Sequence, residues 1–215
     1  MNRIMMIVAM LLLFVVSPCI ATEPGQEQTD KKENGLSSLT IISDAKDKAQ
    51  IKIYGVLTDV DVVALWDDLF IIKNNTEIRN IDIYMECGGG VMFSGFALID
   101  ALKQAQREGF RFTVYGSGVI GSMAIPVYAC CDERIASRST IFLIHPSAFQ
   151  GSTSLVTGAE LQSQTDLFNL MQGEYIRAVT EYTNLTKDQL LKMTKVDTWF
   201  SAEQAKEWGL VDLIK

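Results

Sequence analysis

The chain has 215 residues, 48% of them hydrophobic and 21% charged, enough for one domain with a full-sized core and too apolar for a disordered segment. Its formal charge is −7 and it has no Lys/Arg-rich run, which argues against a nucleic-acid partner, because phosphate binding needs clustered positive charge. One histidine and four cysteines, with no Cys-x-x-Cys pair, offer no metal-ligand set and no sign of a cofactor.

Residues 1–21 read as a secretory signal peptide. Arg3 gives a short positive start, Ile4 to Val16 is an apolar run of 13, and Pro18 to Ala21 supplies a breaker and a small residue for cleavage. That run is too short to span a bilayer comfortably. The reading implies export, most simply to a bacterial periplasm, and leaves lipidation of Cys19 as a weaker alternative, since Pro18 is poorly suited to precede a lipid-bearing cysteine. Residues 22–49 are polar and read as a flexible arm. Globular patterning then runs from 51 to 215 as one domain.

Within that domain, Ile51 to Val56 alternates as a strand. Val60 to Ile72 carries Val62, Trp66, Leu69 and Phe70 at helical spacing, which predicts an amphipathic helix with one buried face. Ile81 to Met85 is a second strand running into Gly88-Gly89-Gly90. Phe96 to Arg107 is a helix stopped by Gly109, and Arg111 to Tyr115 a third strand. Val119 to Cys131 reads as a buried helix with Ser122 at its start, and Thr140 to Ile144 as a strand that delivers His145. A long helix covers 158 to 182 and a short one 186 to 193. Strands alternating with helices predict an α/β domain on a largely parallel sheet. Cys87, Cys130 and Cys131 read as small buried hydrophobes.

Three residues carry candidate chemistry. Imidazole suits removal of a hydroxyl proton near neutral pH, and His145, the only histidine, follows Ser122 by 23 residues. Asp197 comes later, opening Asp-Thr-Trp-Phe-Ser-Ala. Each has a plainer reading. Ser122 is an N-cap candidate, His145 a structural histidine, and Asp197 a cap for a helix starting near Ser201. The glycine triplet is either a tight turn or a source of N–H groups for an oxyanion.

These motifs together resemble the ClpP-type serine peptidases, the proteolytic subunits of Clp proteases, over residues 51 to 214. Cys87-Gly88-Gly89-Gly90 followed by Val91 and Gly95 is similar to the family's Ser-Pro-Gly-Gly turn. Gly121-Ser122-Met123 resembles its nucleophile motif, Leu143-Ile144-His145 its strand ending in histidine, and Asp197 to Ala202 its acid segment. Ala205 to Ile214 is similar to its closing segment. The resemblance implies a crotonase-like fold of superhelical αββ repeats with a long handle-type helix at 158–182. It further implies Ser122 as nucleophile, His145 as base, Asp197 as the orienting acid, and the N–H groups of Gly90 and Met123 as oxyanion hole. A homo-oligomeric ring, a heptamer or double ring, acting on peptides or unfolded proteins would follow.

The chain departs from that pattern at Cys87-Gly88 and at Pro146, and over 148–158. An exported subunit would also work without a Clp ATPase, which needs cytosolic ATP. Rival readings are a Ser–Lys peptidase of the signal-peptide-peptidase or NfeD type using Lys187, Lys192 or Lys195, an acyl-CoA hydratase or isomerase of the same fold, and a catalytically degenerate ClpP-like binding protein.

Overall fold

The structure is a computed structural model that describes residues 38–41, 48–75, 77–148 and 156–215. The signal-peptide reading of 1–21 and most of the arm lie outside the described residues. Among the described residues eight strands form one sheet: β1 (Ser38–Ile41), β2 (Lys48–Leu57), β3 (Asn80–Gly90), β4 (Arg111–Gly121), β5 (Glu133–Ala136), β6 (Ile141–Ile144), β7 (Thr198–Ser201) and β8 (Leu213–Ile214). Among the described residues six helices accompany them: α1 (Asp59–Asn75), α2 (Met92–Arg107), α3 (Ala124–Ala129), α4 (Gly158–Tyr182), α5 (Lys187–Met193) and α6 (Ala202–Glu207).

The main path runs β1-β2-β3-β4-β5-β8. From β2 onward its neighbours are parallel, as α/β crossovers require, and β1 adds antiparallel to β2. β1 and the start of β2 therefore fall inside the stretch read as an arm.

β4 is the strand that matters for the site. Its first half pairs with β5 through Thr113–Gly116, and its end pairs with β6 through Val119–Gly121. That second pairing explains the main difference from the sequence reading. Val119 to Gly121 extend the strand instead of starting a helix, and α3 is confined to six residues after the turn. Small and apolar residues carry no period that separates a buried strand end from a buried helix.

The core lies on one face of the sheet, and the other face carries Lys52, Tyr54, Tyr84, Glu86 and Tyr115, which are exposed or half-buried. Ala49, Ile51, Ile53 and Leu57 alternate inward from β2, and Ile81, Ile83, Met85 and Cys87 from β3. On α2 the buried side is Leu98, Ile99, Ala101, Leu102 and Ala105, and all six residues of α3 are buried. The buried face of α1 is Leu65, Leu69 and Ile72; Trp66 and Phe70 stay 41% and 68% exposed. The helix thus has two apolar stripes, and the predicted one mixed them. Cys87, Cys130 and Cys131 are free and buried, as their composition-level reading expected. Burial pushes the Cys87 thiol up.

Candidate active site

The site forms where β4 stops. Gly121 is the last strand residue and Ala124 the first of α3, so two residues must reverse the chain. Ser122 does this with φ +50°, the one positive φ outside glycine among the described residues. An L side chain in that region costs about 1–3 kcal/mol, and such strain is retained where surrounding contacts enforce it. Here the Ser122 N–H donates to the carbonyl of Leu143 on β6 at 2.8 Å, and the Ser122 carbonyl accepts from the Ile125 N–H at 3.1 Å. A strand–turn–helix with serine at the sharp point pushes its Oγ out of the ladder. The N-cap reading does not hold: the N-cap position of α3 is Met123, and it makes no side-chain cap bond.

The glycine triplet is the end of β3 and lies against that turn. A Cβ on Gly89, at φ +111°, would sit 2.5 Å from the Ser122 Cβ, 2.9 Å from the Gly121 carbonyl and 3.1 Å from the Met123 nitrogen. One on Gly90 would sit 2.3 Å from the Leu57 carbonyl oxygen. Only glycine lets the three chain segments meet this closely. Met123 stands at the start of α3, where the first N–H groups have no carbonyl partner within the helix.

His145 follows β6 directly and is half-buried. It lines one slot with Ser122, together with Met92, Met123, Ser147 and Tyr175. The pairing of β4 with β6 is what brings serine and imidazole together, since Gly121 is in register with Leu143, two residues before the histidine.

Asp197 arrives by a different route. β7 pairs antiparallel with β6 up to Ile144↔Thr198, so Asp197 and His145 are each the next residue beyond the last pair. The Asp197 side chain is exposed, is not part of the slot, and makes no recorded hydrogen bond to the imidazole among the described residues. Its alternative reading as a helix cap fails, because Ser201 caps α6 itself in a reciprocal box with Gln204.

Lys187, Lys192 and Lys195 are all exposed, and no described lysine lines the slot. Sequence reasoning did not single out Met92, Ser147 or Tyr175. Met92 and Ser147 had a usable signal in their adjacency to Gly90-Val91 and His145. Tyr175 had none, because it lies in mid-helix 53 positions from Ser122 and meets it only through the fold.

Fold and site define an α/β protein that presents a serine at a strained strand–helix turn beside a histidine. A family model described as Clp protease matches residues 31–215. The chain is 30% identical over 147 residues to the ATP-dependent Clp protease proteolytic subunit 2 of Corynebacterium efficiens, covering 67% of this chain and 70% of that one. It is 23% identical over 196 residues to subunit 3 of Streptomyces coelicolor, covering 89% and 88%. Among solved structures, a ClpP1 mutant from Listeria monocytogenes matches with a TM-score of 0.67 at 22% identity, over 77% of this chain and 90% of that one. The chain belongs to the Clp protease family, and is a serine-type peptidase of that family.

Proposed function

We propose that the chain is a serine endopeptidase that cuts peptides or unfolded proteins with Ser122, His145 and Asp197. The observation that carries the reading is Ser122 at φ +50° sharing a slot with the only histidine. In this mechanism the Ser122 Oγ attacks the scissile carbonyl carbon and its proton passes to His145. The N–H groups of Gly90 and Met123 hold the oxyanion, an interaction worth about 2.7–4 kcal/mol per donor in serine hydrolases. The imidazolium then gives its proton to the leaving amine as the C–N bond breaks, and water releases the acyl group by the same steps in reverse roles. Asp197, adjacent in register to His145, fixes the ring orientation and stabilises its charged form.

Two further parts of the reading rest on other features. Work outside the cytoplasm, without an ATPase, is supported by the pattern of residues 1–21. Assembly into a homo-oligomeric ring is supported by the exposed leading half of α4, with Leu161 and Leu170 at 61% and 70% exposure.

Fluorophosphonate labelling of the purified chain tests the core of the proposal. The parent should label, while Ser122→Ala and His145→Ala should not. Labelling that survives His145→Ala would transfer the base role to a lysine. The exposed Asp197 favours one second reading, a binding protein with a disassembled triad. Asp197→Asn separates the two: a drop in turnover on the order of 10³–10⁴-fold supports a working triad, and an unchanged, near-zero rate supports the binding protein.

A further inference from the structure

The glycine triplet that packs against Ser122 carries little order of its own. Gly88 lacks the positive φ of its two neighbours and has nothing within 4 Å of where a Cβ would stand. Glycine there adds backbone freedom that neither sterics nor geometry requires. The helix that follows is not anchored locally either. Val91 at its N-cap makes no side-chain cap bond, and its first turn holds no acidic residue. The Gly90 N–H lies between these two segments, and a donor serves an oxyanion only when it is held in place beforehand.

The contacts that hold it come from the junction of β2 and α1. Between the pairs Gly55↔Cys87 and Leu57↔Gly90, β3 carries one residue more than β2, so the triplet bulges where it passes Leu57. The Leu57 carbonyl accepts from the Val91 N–H at 3.0 Å. Two residues on, the Asp59 carboxylate accepts from the Ser94 hydroxyl at 2.5 Å, in the first turn of α2. Thr58, between them, is held by Asp61, which is 2% exposed and whose carboxylate accepts from the Thr58 N–H and hydroxyl at 2.7 Å each. Leu57 and Asp59 therefore grip Val91 and Ser94 directly after Gly90, one bond through the backbone and one through side chains.

We propose that Asp59 and Ser94 are positioning residues of the oxyanion hole: their bond sets the start of α2 and, through Val91, the aim of the Gly90 N–H. The inference rests on Ser122 being the nucleophile and Gly90 an oxyanion donor. Asp59 and Ser94 act through the backbone between them and Gly90, with no contact to substrate of their own. The oxyanion forms only as Ser122 attacks, so a misaimed donor slows the chemical step and leaves ground-state binding alone.

The test is the kinetics of fluorophosphonate labelling of the full chain, read as a saturated rate and a half-saturating concentration. The phosphoryl oxygen of the probe enters the same hole when Ser122 attacks. Asp59→Ala and Ser94→Ala should each lower the saturated rate about tenfold or more, short of the roughly 10²–10³-fold cost of removing a donor outright. The half-saturating concentration should stay where it is. The double variant should be no slower than either single one, because one bond is lost in all three. Asp59→Asn keeps an oxygen that accepts the Ser94 hydroxyl and should label near the parent rate. Asp59 is exposed, so its variants leave the core intact, and urea unfolding checks the buried Ser94→Ala. A parent that labels while both alanine variants match it overturns the inference alone. So does Asp59→Asn labelling as slowly as Asp59→Ala, which would make the charge at the helix start the cause instead of the bond. A loss carried by the half-saturating concentration also overturns it, since that marks a slackened binding surface. A parent that never labels overturns the peptidase reading and this inference with it.

Discussion

The two halves of α4 are made from similar residues and live in different surroundings. Residues 171–182 bury Tyr175, Ile176, Ala178 and Val179 against α3 and α5, and this half supplies a wall of the site. Residues 158–170 bury none of their side chains, although Leu161, Leu167 and Leu170 lie there, Leu167 and Leu170 on one side of the helix and Leu161 on the other. A helix gains most of its stability from an apolar face that is covered, and isolated turns are marginal in water. The trailing half is held by this chain. The leading half leaves three leucines, Leu161, Leu167 and Leu170, that this chain does not cover, which is the physical case for further copies covering them from more than one side.

The largest effect that separates the halves is on association. Leu161→Lys with Leu170→Lys should weaken the proposed assembly by about 1.5–3 kcal/mol for each buried leucine lost, while each exposed-site change should alter folding stability by no more than about 0.5 kcal/mol. Sedimentation velocity and urea unfolding on the same samples read the two quantities separately. Intact assembly in the double variant would mean that the leading half is not an interface. Ile176→Ala inverts the pattern. At 4% exposure it should cost about 2–5 kcal/mol of folding stability, and it should slow fluorophosphonate labelling, because the neighbouring Tyr175 donates to the Ser122 carbonyl.

How much of this was readable in the sequence follows from the same contrast between local and distant causes. The long helix near 158–182 was legible in outline, and the structure shows that the capping box of Thr157 and Glu160 sets its start. The strands β2 and β3 were legible from alternation, and the serine and histidine from motif order. β5, β7 and β8 were missed because strands of two to four residues carry too little pattern to register. The extension of β4 to Gly121 was missed because Gly116, Gly118 and Gly121 read as breakers, although here they sit in the strand that pairs with β5 and β6. Ser122 and His145 could be paired from sequence, since both sit at ends of adjacent elements. Tyr175 could not, because only the packing of α4 on α3 brings it there. The side-chain position of Asp197 was equally hidden: register places it beside His145, while its exposure is settled by rotamer and solvent.

The smallest effect tests whether the leading half is locally stable at all. The Thr157 hydroxyl accepts from the Glu160 N–H at 3.2 Å, and the Glu160 carboxylate accepts from the Thr157 N–H at 2.7 Å and from its hydroxyl at 2.8 Å. Thr157→Ala should therefore remove about 1 kcal/mol from the helix start. The bonds from the Thr157 backbone and then its hydroxyl hold the Glu160 carboxyl below its usual range. A depressed carboxylate contributes its stability fully above its unfolded value, about 4.3, and loses it as pH falls through the lower folded value. The same box at the start of α5 is built from Thr186 and Gln189, which does not titrate. The Thr157 amide resonance should thus move with a midpoint below about 4.3, while that of Thr186 stays still over the same window. Glu160→Gln should remove the dependence and keep the cap. If the Thr157 amide titrates at or above the free glutamate value, the box is not closed in solution, and the leading half depends on its neighbour for order as well as for burial.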